Sequence, residues 1–86
     1  MRIQTVLIAL GVQAKIFKKH GVRRQEIENG LLSGNILFLK TRQERYLAIT
    51  HEDRYLTVVF EYQNQCAFVV TAYPSSDWQI KRFINK

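Results

Sequence analysis

The spacing of apolar residues changes at Gly34, and that change constrains the fold more than any other feature of the chain. Before it, Leu10, Ala14 and Phe17, and then Ile27 and Leu31, recur at intervals of three and four, as along one face of a helix. The predicted helices cover residues 10–19 and 24–33, with Gly21 just past the end of the first and Gly34 closing the second. After Gly34, residues 36–40, 45–50, 54–62 and 66–73 are rich in Val, Ile, Thr, Phe and Tyr and are separated by short polar loops, as hairpin-linked strands are. Residues 3–10 are apolar without a clean period and fit a short strand running into the first helix better than extra turns of that helix. Near the end, Ser76 followed by Gln79 has the spacing of a capping box, with Ile80, Phe83 and Ile84 to pack a last helix and Trp78 to anchor it. The expected fold is α+β: two N-terminal helices packed on a four- or five-stranded antiparallel sheet, with a short C-terminal helix.

Register follows from the loop at Glu52-Asp53. If those two residues form the turn, His51 faces Arg54, Ile49 faces Leu56 and Leu47 faces Val58. One sheet face then carries Leu47, Ile49, Leu56, Val58 and Phe60, with Arg45, His51 and Arg54 at its margins.

At 86 residues the chain has room for one domain, residues 1–86, and 47% hydrophobic residues with a single Pro give it the material for a core. Cys66 is the only cysteine and cannot pair within the chain, and His20 and His51 offer no zinc-like spacing. Neither a metal nor a cofactor is expected. No apolar run approaches the ~18–20 residues that span a bilayer. Residues 1–14 have the outline of a secretory signal, but one charge in the n-region and the polar Gln4 and Thr5 argue against it; a cytoplasmic protein is expected.

The net charge is +6, and its distribution matters more than its sum. Residues 1–25 contain Arg2, Lys15, Lys18, Lys19, Arg23 and Arg24 and no acidic residue, while residues 63–86 add Lys81, Arg82 and Lys86 against Asp77. Clustered positive charge suits a polyanion, or an acidic protein that masks it. With no phosphate-binding glycine loop and no nucleophile motif, the remaining His, Arg, Lys and Tyr side chains suit phosphodiester cleavage without a metal. There the RNA 2′-hydroxyl attacks its own phosphate, aided by a base, an acid and cations.

The segment Lys18-Lys19-His20-Gly21-Val22, followed by Glu26-Ile27-Glu28, and later Arg45-Tyr46-Leu47-Ala48 ahead of two more strands and a basic closing helix, resembles the toxins of type II toxin–antitoxin modules. The order is most similar to the BrnT-like branch of the RelE/ParE superfamily, over about residues 10–84. The resemblance implies a metal-independent endoribonuclease that inhibits translation. It also implies an acidic, DNA-binding antitoxin partner; the edge strands of the meander offer pairing with that partner, as a hetero-oligomer, or with another copy, as a homodimer. Carried over, Lys19 and His20 match the end of the family's first helix, Arg45 its mid-chain arginine, and Arg54 a second cation of the strand that follows, so the expected catalytic set has His20 as general acid or base and Lys19, Arg45 and Arg54 on the scissile phosphate. Where the family tends to read Ser-Ala-Arg, this chain has Thr71-Ala72-Tyr73, which makes Tyr73 a candidate for proton transfer or base stacking. Lys15, Lys18, Arg23, Lys81 and Arg82 are the expected RNA contacts.

Plainer roles stand beside these. His20 suits a helix C-terminus as a cation, the lysines suit a solvated helix face, Arg45 and Arg54 suit ion pairs with Glu44, Glu61 or Asp53, and His51 suits a solvated turn. The alternative function is a non-catalytic basic domain that binds nucleic acid or protein.

Overall fold

Gly21 and Gly34 sit at positive φ, 66° and 85°, and both N-terminal helices stop beside them. At the first stop the Gly21 N–H donates to the Phe17 carbonyl (2.9 Å), closing the last turn with a left-handed residue. The computed structural model describes residues 1–86 and runs β1 (Thr5–Leu7), α1 (Leu10–His20), α2 (Arg24–Leu32), β2 (Ile36–Lys40), β3 (Tyr46–His51), β4 (Tyr55–Gln63), β5 (Cys66–Pro74) and α3 (Asp77–Ile84). The strands form one five-stranded sheet in the order β1-β5-β4-β3-β2. Asn64 and Gln65, both at positive φ, make the two-residue turn between β4 and β5 in the sense that matches the twist of the strands.

The pairing of β3 with β4 sorts the core. Tyr46 lies opposite Phe60, Ala48 opposite Val58 and Thr50 opposite Leu56, so these six share one face. On that face Ile16 of α1, Val22 between the helices and Ile27 and Leu31 of α2 form one buried cluster with Ala48, Leu56, Val58 and Phe60. Apart from Ala48, each of these side chains, fully buried, contributes about 1.5–3 kcal/mol. The approach of α2 to β3 is tight at Gly30, where a Cβ would lie 2.6 Å from Thr50 Oγ1. The opposite face carries Ile49, His51, Tyr55 and Thr57 and is covered by α3, whose Phe83 ring lies 5.6 Å from Tyr55 and 6.3 Å from His51.

The α+β class, the two helices against a sheet and the closing helix match the expectation, but four details differ. The sheet is mixed rather than antiparallel, because β1 runs parallel to β5 through the pairs Thr5 with Cys66, Val6 with Ala67 and Leu7 with Phe68. An apolar run shows that a strand exists and is silent on which distant strand it joins. The β3–β4 connection has three residues, Glu52-Asp53-Arg54, so the true register is one step from the expected one and Leu47 and Ile49 lie on the face opposite Val58 and Leu56. Arg54 therefore belongs to the loop. The face of α1 is also reversed: Ile16 is buried with Val12 packed beside the core, whereas Leu10, Ala14 and Phe17 are exposed. At the other end, Trp78 is 53% exposed and Ile84 faces solvent, so Phe83 alone provides the buried aromatic anchor of α3.

Candidate active site

His20 is the last residue of α1, and the turn that follows it is braced from outside the helix. Arg54 donates from Nε to Glu26 Oε2 (2.9 Å) and from Nη2 to Glu26 Oε1 (3.0 Å), and the same Nη2 lies 3.1 Å from the Gly21 carbonyl oxygen. Glu26 also accepts from the Arg23 N–H at the start of α2 (3.1 Å). The Arg54–Glu26 pair thus ties the β3–β4 loop, the residue that follows α1 and the start of α2 together. The hydrogen bond from Arg54 is the main reason the Glu26 carboxyl is held below its ordinary range; burial opposes the effect without cancelling it.

Beside His20, β5 has a free edge. Because β1 pairs only with Cys66, Ala67 and Phe68, the strand from Val69 onward has β4 on one side and no strand on the other. A bulge falls there: Phe60 pairs with Val69 and Val59 with Thr71, leaving Val70 without a partner. Between this edge and α1 lies a groove lined by Lys15, Lys19, His20, Val70 and Thr71, with Val12 and Ile16 on its inner side. It has two lysines and no carboxylate among its lining residues.

Tyr73, three residues past the bulge, brings its ring centroid to 5.9 Å from that of His20. Its hydroxyl is fixed from behind by α3. Gln79, 2% exposed, accepts at Oε1 from the Ser76 N–H (2.8 Å) and from Thr57 Oγ1 (2.8 Å), and Thr57 in turn lies 2.7 Å from Ser75 Oγ. Those two donors fix the carboxamide, so Nε2 is the end that donates to Tyr73 Oη (3.1 Å). The phenol accepts from Gln79 and keeps its own proton to give. Sequence reasoning placed Gln79 in a cap, where it is; that its far end also reaches Tyr73 depends on how α3 docks, and no local signal encodes it.

The structure brings together His20, Tyr73, Lys15 and Lys19, with Arg54 behind them, and leaves the other candidates elsewhere. Arg54 is occupied by Glu26 rather than free for a phosphate. Arg45 precedes β3 at the end of the sheet opposite His51 and Tyr73, and its Nε lies 3.5 Å from Glu61 Oε2. With ~3.4 Å per strand residue it cannot share a phosphate with His20. Lys18 is exposed on α1, while Arg23 stands with its guanidinium 4.9 Å above the Phe17 ring on another side of that helix. Lys81 and Arg82 are exposed on α3, which covers the other face of the sheet. His51 is not a solvated turn residue, since its ring stacks on Tyr55 at 4.0 Å and 7°. No three His, Cys, Asp or Glu side chains gather in an arrangement that could hold a metal ion, and no helix is long and apolar enough to cross a membrane.

Comparison with known proteins adds a family and a fold. The family model for DUF4258, a domain of unknown function, matches residues 14–74, a span that runs from the middle of α1 to the end of β5 and so includes His20 and Tyr73. No curated protein matches the chain in sequence. Among solved structures the chain is similar to the crystal structure of the Brucella abortus ribonuclease toxin BrnT, with 16% identity and a TM-score of 0.68 over 86% of this chain and 100% of that one. At that identity the likeness establishes a shared BrnT-like fold.

Proposed function

We propose, for a chain that belongs to the DUF4258 family and has the fold of a ribonuclease toxin, that it is the toxin of a type II toxin–antitoxin module and cleaves RNA without a metal. The observation that carries this reading is the pairing of His20 with Tyr73, ring centroids 5.9 Å apart, where His20 itself lines a groove with Lys15 and Lys19. In the reaction His20 takes the proton of a 2′-hydroxyl, whose oxygen bonds to the adjacent phosphorus. The bond from phosphorus to the 5′-oxygen breaks, the leaving oxygen takes the phenolic proton of Tyr73, and a 2′,3′-cyclic phosphate remains. Lys15 and Lys19 stabilise the charge on the phosphoryl oxygens. Arg54 acts at one remove, holding the turn after His20 in place. Translation stops because messages are cut, and an antitoxin restrains the activity in the cytoplasm.

The test is cleavage of a labelled single-stranded RNA by the purified chain in chelator-treated buffer. Wild type is expected to give fragments with cyclic phosphate ends, and His20→Ala and Tyr73→Phe are each expected to lose about 10²–10⁴-fold in rate. Arg45→Ala, at the far end of the sheet, is expected to stay within a few-fold of wild type. A folded wild type that binds the RNA and leaves it intact would overturn the enzyme in favour of a non-catalytic basic binding domain. What favours that second reading is a tyrosine at position 73, where the resemblance to BrnT-like toxins implies an arginine.

A further inference from the structure

We propose that the shallow groove between α1 and the start of α2 is the docking site for an acidic amphipathic helix of a partner protein. Leu10, Ala14 and Phe17 form an outward stripe at i, i+4 and i+7; Leu10 is 83% and Phe17 49% exposed. Val22, 1% exposed, closes the groove's inner side between the two helices. A single exposed leucine is ordinary. Three apolar side chains aligned along two turns, ~10 Å of helix beside a groove, present what an amphipathic helix uses as its own anchors.

The border selects the charge of the occupant. Arg23 holds its guanidinium over the Phe17 ring and makes no ion pair, Lys18 is exposed one residue past Phe17, and Arg24 flanks the groove while bridging to Glu28 (3.1 Å). No acidic residue occurs in positions 1–25. Two copies meeting through this surface would set arginine against arginine, which disfavours self-association. RNA is disfavoured on other grounds: Arg23 already occupies a face of the Phe17 ring, and Leu10 and Ala14 offer a base neither a ring nor a hydrogen bond. An apolar stripe edged with glutamates satisfies both the hydrocarbon and the cations.

This deepens the toxin–antitoxin reading and rests on it for the partner's role, but its test reads peptide binding whereas RNA cleavage tests that reading, so the two can fail separately. The probe is a fluorescein-labelled synthetic helix carrying Leu at i, i+4 and i+7 and Glu on both flanks, titrated with the full chain, with a scrambled peptide of equal composition as control. Saturable binding is expected, weakened at least ~tenfold by Leu10→Glu/Phe17→Glu and also by Arg23→Glu, and unaffected by His20→Ala. All these side chains are exposed or at the groove, so far-ultraviolet circular dichroism should stay that of wild type. Absence of binding, equal binding of the scrambled peptide, or indifference to the double substitution would overturn the proposal. So would self-association of the wild type in sedimentation that the double substitution abolishes, since the stripe would then belong to a second copy.

Discussion

Helix α1 divides two grooves of different chemistry. On one flank Lys15, Lys19 and His20 face the free edge of β5, where Val70 and Thr71 line the wall and Tyr73 stands nearby. On the other, Leu10, Ala14 and Phe17 face the start of α2, with Arg23 and Arg24 at the border. Lys15 and Lys19 lie across the buried Ile16 and the half-buried Val12 from that stripe, as a rotation of ~100° per residue requires, and His20 joins them from the last position of the helix. Both flanks are basic, so charge alone does not tell them apart. What differs is the material between the cations: a histidine and a tyrosine that can move protons on one side, bare hydrocarbon on the other. A cation bordering hydrogen-bonding groups suits a phosphate chain, and a cation bordering hydrocarbon suits a protein helix.

The comparison breaks if RNA responds to both flanks alike. Lys15→Glu/Lys19→Glu is expected to weaken single-stranded RNA binding by roughly ten- to a hundredfold and to flatten its dependence on log salt by ~0.7 for each phosphate that is no longer neutralised. Leu10→Glu/Phe17→Glu, which also adds two negative charges, is expected to leave affinity within about twofold, since neither side chain meets a phosphate. Filter binding across a salt series measures both. Equal losses would mean that RNA reads only the overall charge of α1 and that the grooves are not distinct sites.

How much of this was legible in the sequence depends on whether the signal is local. The helix stops at Gly21 and Gly34 were readable because positive φ is a property of single residues. The strands were readable from β-branched and aromatic runs. The face of α1 was not: Leu10, Ala14 and Phe17 repeat as cleanly as Val12 and Ile16, and only docking against the sheet decides which stripe is buried. The β3–β4 register turned on whether the loop holds two residues or three, and the bond from Arg54 to Glu26 joins segments 28 residues apart, which no local pattern encodes. Of the candidate site, His20 and Tyr73 were named from the sequence, but their meeting was not, because it depends on β1 stopping short of Val69 and leaving room for the end of α1. Gln79 was readable as a cap and invisible as the partner of Tyr73.

Gln79→Leu sharpens the comparison with a smaller effect. It keeps the volume of the side chain but strands the Ser76 N–H and leaves the Thr57 hydroxyl with Ser75 as its side-chain partner, at a cost of about 1–3 kcal/mol in urea unfolding. It also frees the Tyr73 phenol. The rate of cleavage is expected to fall about tenfold with RNA affinity unchanged, because Gln79 does not line the groove of Lys15 and Lys19. Gln79→Glu retains the acceptor for Ser76 and Thr57 and removes the donor to Tyr73, but it puts a carboxyl with no cation beside it at a site 2% exposed, so stability at neutral pH should fall further than in Gln79→Leu. Loss of RNA affinity in either variant would place Gln79 in the fabric of the groove rather than behind Tyr73.

The smallest effect is expected at the brace beneath both flanks. Glu26 is held below its ordinary pKa, chiefly by Arg54, so between the folded and unfolded values the unfolded chain binds more protons than the folded one. The contribution is therefore fully present above about pH 4.5 and is lost as pH falls through the lower folded value. Side-chain exposures of 40% for Arg54 and 27% for Glu26 leave the pair screened by solvent, which limits it to about 1 kcal/mol or less. Glu26→Gln should lower the urea midpoint slightly at neutral pH, and the gap to wild type should close as the solution is acidified. Measured alongside, cleavage and peptide binding tell what the brace is for. If Glu26→Gln slows cleavage more than it weakens the peptide, the Arg54 bond to the Gly21 carbonyl is positioning His20; if both fall together, the brace holds the angle between α1 and α2 that shapes the two grooves at once.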